Sequence, residues 1–253
     1  MRVFTLAIRK NRIKTFLLTA LFILIAAGYL FKSWSSPVTA ATAPVYQGSA
    51  GEKKIALTFN VVWGEEYIPQ LIESLKDNSV PATFFIGGQW AEDFPELTRE
   101  IVRGGHEVGS HGYSHPHPDR ISLSANIDEI KKTEEVLNRV AGVKPVLFAP
   151  PYGERGEVVL RAAGEAGYTT ILWSIDTIDW QRPDPAVIVR RVIDKAHNGA
   201  IVLMHPTAPT VHALPQIIME LKRQGYELVK VSTLLEGLKK EKDGLKEKTG
   251  ESL

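Results

Sequence analysis

The sequence predicts an α/β fold, a parallel sheet covered by helices. Three observations carry this. Seven β-rich apolar runs recur along the chain, several apolar almost throughout, as strands buried on both faces are. Segments with apolar residues at helical spacing lie between them. Glycines close several of those segments, at Gly104-Gly105, Gly142, Gly167, Gly199 and Gly225, and glycine is the usual residue just past a helix. Strand and helix alternate about seven times. Periodicity does not separate an open doubly wound sheet from a closed barrel.

The elements follow in order. Arg2, Arg9, Lys10, Arg12 and Lys14 make residues 1–14 a basic segment, and an apolar run covers residues 15–31. About 17 residues is the lower limit for a spanning helix, and a basic flank stays in the cytoplasm. The expectation is a single-pass anchor in the cell membrane with the rest of the chain on the extracellular side. The same pattern fits a signal peptide cleaved near Ala40, which would leave a secreted protein. The candidate cleavage site lies far beyond the apolar run, which favours the anchor. Residues 32–52, rich in Ser, Pro, Ala and Thr, read as a flexible linker.

The first strand, Lys54–Phe59, leads into Asn60. Tyr67-Ile68, Leu71-Ile72 and Leu75 mark the helix that follows. Strands at Ala82–Ile86 and Glu107–Ser110 come next, the second running into Ser110-His111-Gly112-Tyr113-Ser114-His115-Pro116. A helix marked by Ile127, Ile130, Val136-Leu137 and Val140 precedes the strand Pro145–Ala149 and the turn Pro150-Pro151-Tyr152-Gly153. The fifth strand, Thr169–Ser174, precedes Asp176-Thr177-Ile178-Asp179-Trp180. A stripe of Val187-Ile188, Arg191-Val192 and Ala196 leads to Ala200–His205, and Glu227–Val231 is the seventh strand. Residues 239–253, dense in Lys, Glu and Gly, are expected to be frayed or disordered.

Bulk properties narrow the function. The net charge of +1 gives no argument for nucleic acid. The absence of cysteine excludes disulfides, thiolate metal sites and a cysteine nucleophile. A monomer is expected.

Five short motifs each follow a strand end. In a barrel of alternating strands and helices those ends open onto one face, where the chemistry sits. His111 and His115 have the spacing of metal ligands, and imidazole is the commonest ligand for zinc and similar ions. Two partly exposed histidines of a His-rich loop that also holds His117 is the plainer alternative. His205 ends an apolar strand, where a single histidine is more often a hydrogen-bonded core residue. Its strand-end position favours catalysis. Trp180 equally fits the core.

The order and wording of these motifs resemble the polysaccharide deacetylases, carbohydrate esterase family four, also called the NodB homology domain. The resemblance covers about Lys53 to Leu235, in a domain expected at residues 53–238, and is nearest to the sporulation-associated deacetylases of spore-forming Gram-positive bacteria. It implies a distorted seven-stranded (β/α) barrel. It implies a hydrolase that removes N-acetyl, or O-acetyl, groups from amino sugars of a cell-wall polysaccharide such as peptidoglycan. In that family His111 and His115 would hold a divalent metal, zinc by preference. His205 would be the general acid and Asp179 the carboxylate that orients it, with Asp176 as the competing partner. The Tyr152 backbone N–H would bind the oxyanion. Pro151, Trp180 and Leu203 would contact substrate.

The chain departs from the family at three positions. Asn60 and Val61 stand where the family has a base Asp and a metal-binding Asp, and Ala149 where it has the arginine that pairs with the base. Asn60 cannot usefully accept a proton, and Val61 cannot bind a metal. The metal site would be weakened, its third ligand open. Glu65, Glu66 and Glu154 follow strand ends and are candidates for the missing carboxylate. The rival reading is a family member that binds cell-wall glycan without turnover.

Overall fold

A computed structural model describes residues 43–249. The basic segment, the apolar run at 15–31, the cleavage site near Ala40 and the start of the linker lie outside the described residues. Among the described residues, no helix is long and apolar enough to cross a membrane.

The elements are β1 (Lys54–Val61), α1 (Ile68–Asp77), β2 (Thr83–Ile86), α2 (Gly88–Asp93), α3 (Pro95–Arg103), β3 (Glu107–Ser110), α4 (Leu123–Ala141), β4 (Leu147–Phe148), α5 (Glu157–Glu165), β5 (Thr169–Thr170), β6 (Ile175–Asp176), α6 (Pro185–Ile193), β7 (Ile201–Met204), α7 (Ala208–Arg223), β8 (Glu227–Val229) and α8 (Val231–Thr249). The strands form one sheet in the order β5-β4-β3-β2-β1-β7-β6, with β8 beside the start of β1. Every strand pair in it is parallel. The result is an α/β half-barrel, open between β5 and β6.

The described sheet has eight strands where the sequence suggested seven. The run expected as one strand, Thr169–Ser174, breaks after Thr170. The chain leaves the β4 edge there and crosses to the opposite edge, where Ile175 and Asp176 pair with Val202 and Leu203 of β7. One apolar run thus supplies both rims of the opening.

The pleat of β1 sets the layers, because successive side chains on a strand face opposite sides. Ile55, Leu57, Phe59 and Val61 pack outward in one cluster with Leu71 and Leu75 of α1 and Leu214, Ile217 and Leu221 of α7. Ala56 packs inward with Phe85, Leu147, Ala149, Ile171 and Ile201. Val231 and Leu234 at the start of α8 join this inner cluster and close the end of the barrel where the strands begin. Helix α8 continues to Thr249, through much of the stretch whose composition suggested disorder.

Part of the expected linker belongs to the sheet. Val45 N–H donates to Thr170 O at 2.9 Å, Leu172 N–H to Val45 O at 2.8 Å, and Gly48 N–H to Gly199 O at 2.8 Å. This clasp is tight enough to require glycine at 199, where φ is +76° and a Cβ would stand 2.8 Å from the Gly48 backbone.

Candidate active site

The loops after β1, β3, β4, β6 and β7 meet at the sheet's C-terminal rim. They enclose a cleft of about 430 Å³ lined by Asn60, Val62, Trp63, His111, His115, Tyr152, Gly153, Trp173, Asp176, Trp180, Leu203 and His205. The five motifs therefore converge as barrel geometry predicts.

His111 follows β3, and its N–H donates to Ile86 O at 3.0 Å. Its side chain is buried, and Nδ1–H donates to Ala149 O at 2.6 Å, which leaves Nε2 as the free ring nitrogen. Burial pushes its pKa down to about 3, reinforced by the nearby His115. The ring is therefore neutral. His115 sits in a left-handed turn with φ 56°. Its ring lies 5.0 Å from that of His111, and burial lowers its pKa too. Glu129 of α4 holds this loop. It accepts from Tyr113 N–H and Ser114 N–H at 2.8 Å each through Oε2, and from Ser114 Oγ at 2.8 Å through Oε1.

Tyr152 also has a left-handed backbone, φ 58°, next to Gly153 at φ +67°. A Cβ at Gly153 would stand 2.6 Å from the Trp173 ring, so the Pro-Pro-Tyr-Gly turn needs its glycine. The hydrogen bonds of that turn run from the N–H groups of Gly153 and Glu154 to Pro150 O and Pro151 O. The exposed Tyr152 ring lies between His115, 4.6 Å away, and His117, stacked at 4.0 Å.

His205 follows β7. Its Nδ1 bonds Asp179 Oδ1 at 2.8 Å, while Asp179 Oδ2 accepts from His205 N–H and Thr210 Oγ1, both at 2.6 Å. Asp179 is wholly buried, and three donors satisfy its charge. The alternative partner, Asp176, has Oδ1 on Ile178 N–H at 2.8 Å and is the one carboxylate lining the cleft among the described residues. The indole of Trp63 lies parallel to the His205 ring at 5.8 Å and 6°. Gly64 permits this approach: its φ is +80°, and a Cβ would stand 2.2 Å from Pro206 O.

Of the residues the sequence singled out, His111, His115, Tyr152, Trp180, Leu203 and His205 line the cleft, with Asp179 directly behind. Pro151 does not; it is buried and lines a separate small cavity with Gly112 and Phe148. None of the three glutamates faces the cleft. Glu154 is committed to His117 Nδ1 at 2.7 Å and Asp119 N–H at 2.9 Å. Glu65 lines a neighbouring cavity of about 380 Å³, and Glu66 is exposed to solvent. Strand alternation sends Asn60 into the cleft and Val61 outward beneath the helices. Trp63, Trp173 and Thr210 were not anticipated. An aromatic residue in an apolar run reads as core, and Thr210 reaches Asp179 only through the fold.

The donor set does not complete a catalytic metal site. Such a zinc site has three protein ligands and an open position. Here two imidazoles meet, and among the described residues no group of three or more His, Cys, Asp or Glu side chains could hold an ion.

Comparison with known proteins agrees with this architecture. The polysaccharide deacetylase family model matches residues 47–171. The chain is 39% identical over 193 residues to an uncharacterized protein, YlxY, of Bacillus subtilis, covering 76% of this chain and 60% of that one. It is 35% identical over 205 residues to a peptidoglycan-N-acetylglucosamine deacetylase of Bacillus cereus, covering 79% of this chain and 74% of that one. Among solved structures it is similar to BA3943, a CE4 family pseudoenzyme from Bacillus anthracis. The TM-score is 0.75 at 42% identity, over 77% of this chain and 69% of that one. A mutant of that protein, described as having restored enzymatic activity, aligns with the same TM-score at 40% identity, over 77% of this chain and 72% of that one. The motifs, the sheet and these matches agree, and the chain belongs to the polysaccharide deacetylase family.

Proposed function

We propose that this protein is a hydrolase that removes N-acetyl groups from amino sugars of cell-wall glycan, with peptidoglycan as the substrate class. The observation that carries the reading is the His205–Asp179–Thr210 chain at the wall of an aromatic cleft. Asp179 fixes His205 through Nδ1, so Nε2 is the nitrogen left to serve the cleft. Hydrolysis adds water to the carbonyl carbon of the acetamido group, the proton that the water loses passing to solvent, and breaks the C–N bond. The nitrogen leaves as an amine and needs a proton, which His205 supplies as general acid. The Tyr152 N–H would bind the oxygen that gains negative charge as water adds to the carbonyl. Leu203 offers an apolar wall for the acetyl methyl, and Trp180 and Trp63 offer faces for sugar rings.

No step is assigned to a metal, because His111 and His115 alone do not complete a catalytic site. With Asn60 in place of the base, turnover is expected to fall by about 10²- to 10⁴-fold, the usual contribution of a general base. The basic segment ahead of the apolar run supports a domain outside the cell, held to the membrane by the N-terminal segment.

One observation favours a second reading, binding without turnover. Asn60, Val61 and Ala149 together remove the base, the metal carboxylate and the base's arginine, and the similar BA3943 is described as a pseudoenzyme. Acetate release from peptidoglycan and from N-acetylglucosamine oligomers, set beside binding to the same glycans, separates the two. Slow release abolished by His205→Ala supports the hydrolase. Glycan binding with no release supports the second reading. Neither binding nor release rejects both.

A further inference from the structure

We propose that Asn60 reads the acetamido group itself, accepting its N–H through Oδ1 and so selecting acetylated over deacetylated sugars. The inference rests on the reading that the cleft takes an N-acetylated amino sugar.

Asn60 closes the inward row of β1 and lines the cleft, with 6% of its surface exposed. Its Oδ1 is buried and has no hydrogen-bond partner among the described residues, and a half-turn of the amide about Cβ–Cγ, which breaks no hydrogen bond, exchanges it with Nδ2 and turns it to the cleft. An unpaired buried acceptor costs about 1–3 kcal/mol. Native proteins hold few of them, and each calls for an explanation such as a ligand that completes the bond. The neighbours do not complete it. His111 has its Nδ1–H on Ala149 O, Trp63 lies flat against His205, and Val62 and Leu203 are apolar.

A carbonyl oxygen on a mainly apolar wall suits a neutral N–H donor. A secondary amide brings one such donor together with a carbonyl of its own, which the Tyr152 N–H can take. The free amine left by deacetylation is an ammonium at neutral pH. It would meet Val62, Trp173 and Leu203 and lose hydration that one amide oxygen does not replace. Among the described residues Asp176 is the one carboxylate on the wall; its Oδ1 accepts from Ile178 N–H, and its charge is the one group there that would offset part of this cost. Asn60 thus turns the position of a proton acceptor into one that recognises the intact amide. A bond made equally in the bound substrate and in the transition state lowers KM and leaves kcat unchanged.

Calorimetry with the full chain tests this, using a tetramer of N-acetylglucosamine and the fully deacetylated tetramer as probes. The wild type is expected to prefer the acetylated tetramer by about tenfold or more, the worth of one well-placed hydrogen bond with its desolvation. Asn60→Leu keeps the size and removes the polar atoms; Asn60→Ala removes both. Each is expected to weaken the acetylated tetramer by about tenfold and to change the deacetylated one by less than about twofold, so the preference collapses. Asn60→Leu should melt no lower than wild type, because Oδ1 has no partner in the protein to lose. An unchanged preference in Asn60→Leu overturns the inference. A marked fall in its melting temperature overturns it as well, since the amide would then be structural. A wild type that binds neither tetramer overturns the glycan-cleft reading underneath.

Discussion

Asn60→Asp returns a carboxylate to the cleft, and the surroundings set its cost. The position is 6% exposed, among the described residues no lysine or arginine lines the cleft, and Ala149 stands where the family has an arginine. His111 is neutral, its pKa pushed down to about 3 by burial, and His115 is shifted the same way. The new carboxylate would have no partner, so burial raises its pKa well above the usual value of about 3.9. A rise of about 3 units corresponds to about 4 kcal/mol of lost stability at pH 7, since each unit is worth about 1.4 kcal/mol. In a domain of this size that lowers Tm by roughly 8–16 °C, at about 2–4 °C per kcal/mol. The sign of the pH dependence follows. Below about pH 3 the carboxyl is protonated in both states and variant and wild type coincide. The gap opens as pH rises and levels off above the raised folded-state pKa. Scanning fluorimetry from pH 4 to 8 in the presence of a chelator measures it. Adding Ala149→Arg supplies the missing cation and should recover more stability above pH 6 than the two single changes predict by addition. A Tm difference that is flat across pH, or a double variant with no coupling, would refute the claim that the cleft lacks a counter-charge.

Other expectations follow from the same geometry. Asp179→Asn keeps the shape but cannot accept from all three donors, so acetate release should fall by about 10²- to 10⁴-fold, as should that of His205→Ala, with folding checked by circular dichroism. Two imidazoles alone should bind zinc weakly; Asn60→Asp adds an anionic oxygen and should raise affinity by about 10- to 100-fold, while His111→Ala should abolish the gain, as titration calorimetry would read. His106 is held near pKa 4 and His111 near 3, both chiefly by burial, so the unfolded chain takes up their protons first. Stability is then full above about pH 6.5 and falls on acidification by up to about 1.4 kcal/mol per pH unit for each ring, visible as a falling urea midpoint between pH 7 and 5. A midpoint unchanged over that range would contradict the assignment of both rings as buried and neutral.

The sequence showed local pattern and missed what only the fold assembles. The strand-end motifs share one rim, as their positions after the apolar runs implied. The break after Thr170 was invisible, since Ile171-Leu172-Trp173 is as apolar as a continuing strand and only pairing with β4 and β7 reveals two edges. The choice between Asp176 and Asp179 was open because both follow the same strand; a 2.8 Å bond decides it. Thr210 could not be read at all, lying 31 residues from the carboxylate it supports. Glu65, Glu66 and Glu154 are within reach by sequence distance, yet none of them lines the cleft. Pro151 carries the turn from beneath, while its neighbour Tyr152 faces the cleft.

The short clasp formed by Val45 and Gly48 decides where the folding unit can be cut. Starting the protein at residue 53, where the family motifs begin, would strip Thr170 O and Leu172 N–H of their partners and bare the rim beside β5. An uncapped sheet edge invites pairing with another molecule. A version begun at residue 53 should therefore self-associate, whereas one begun at or before residue 43 should stay dispersed.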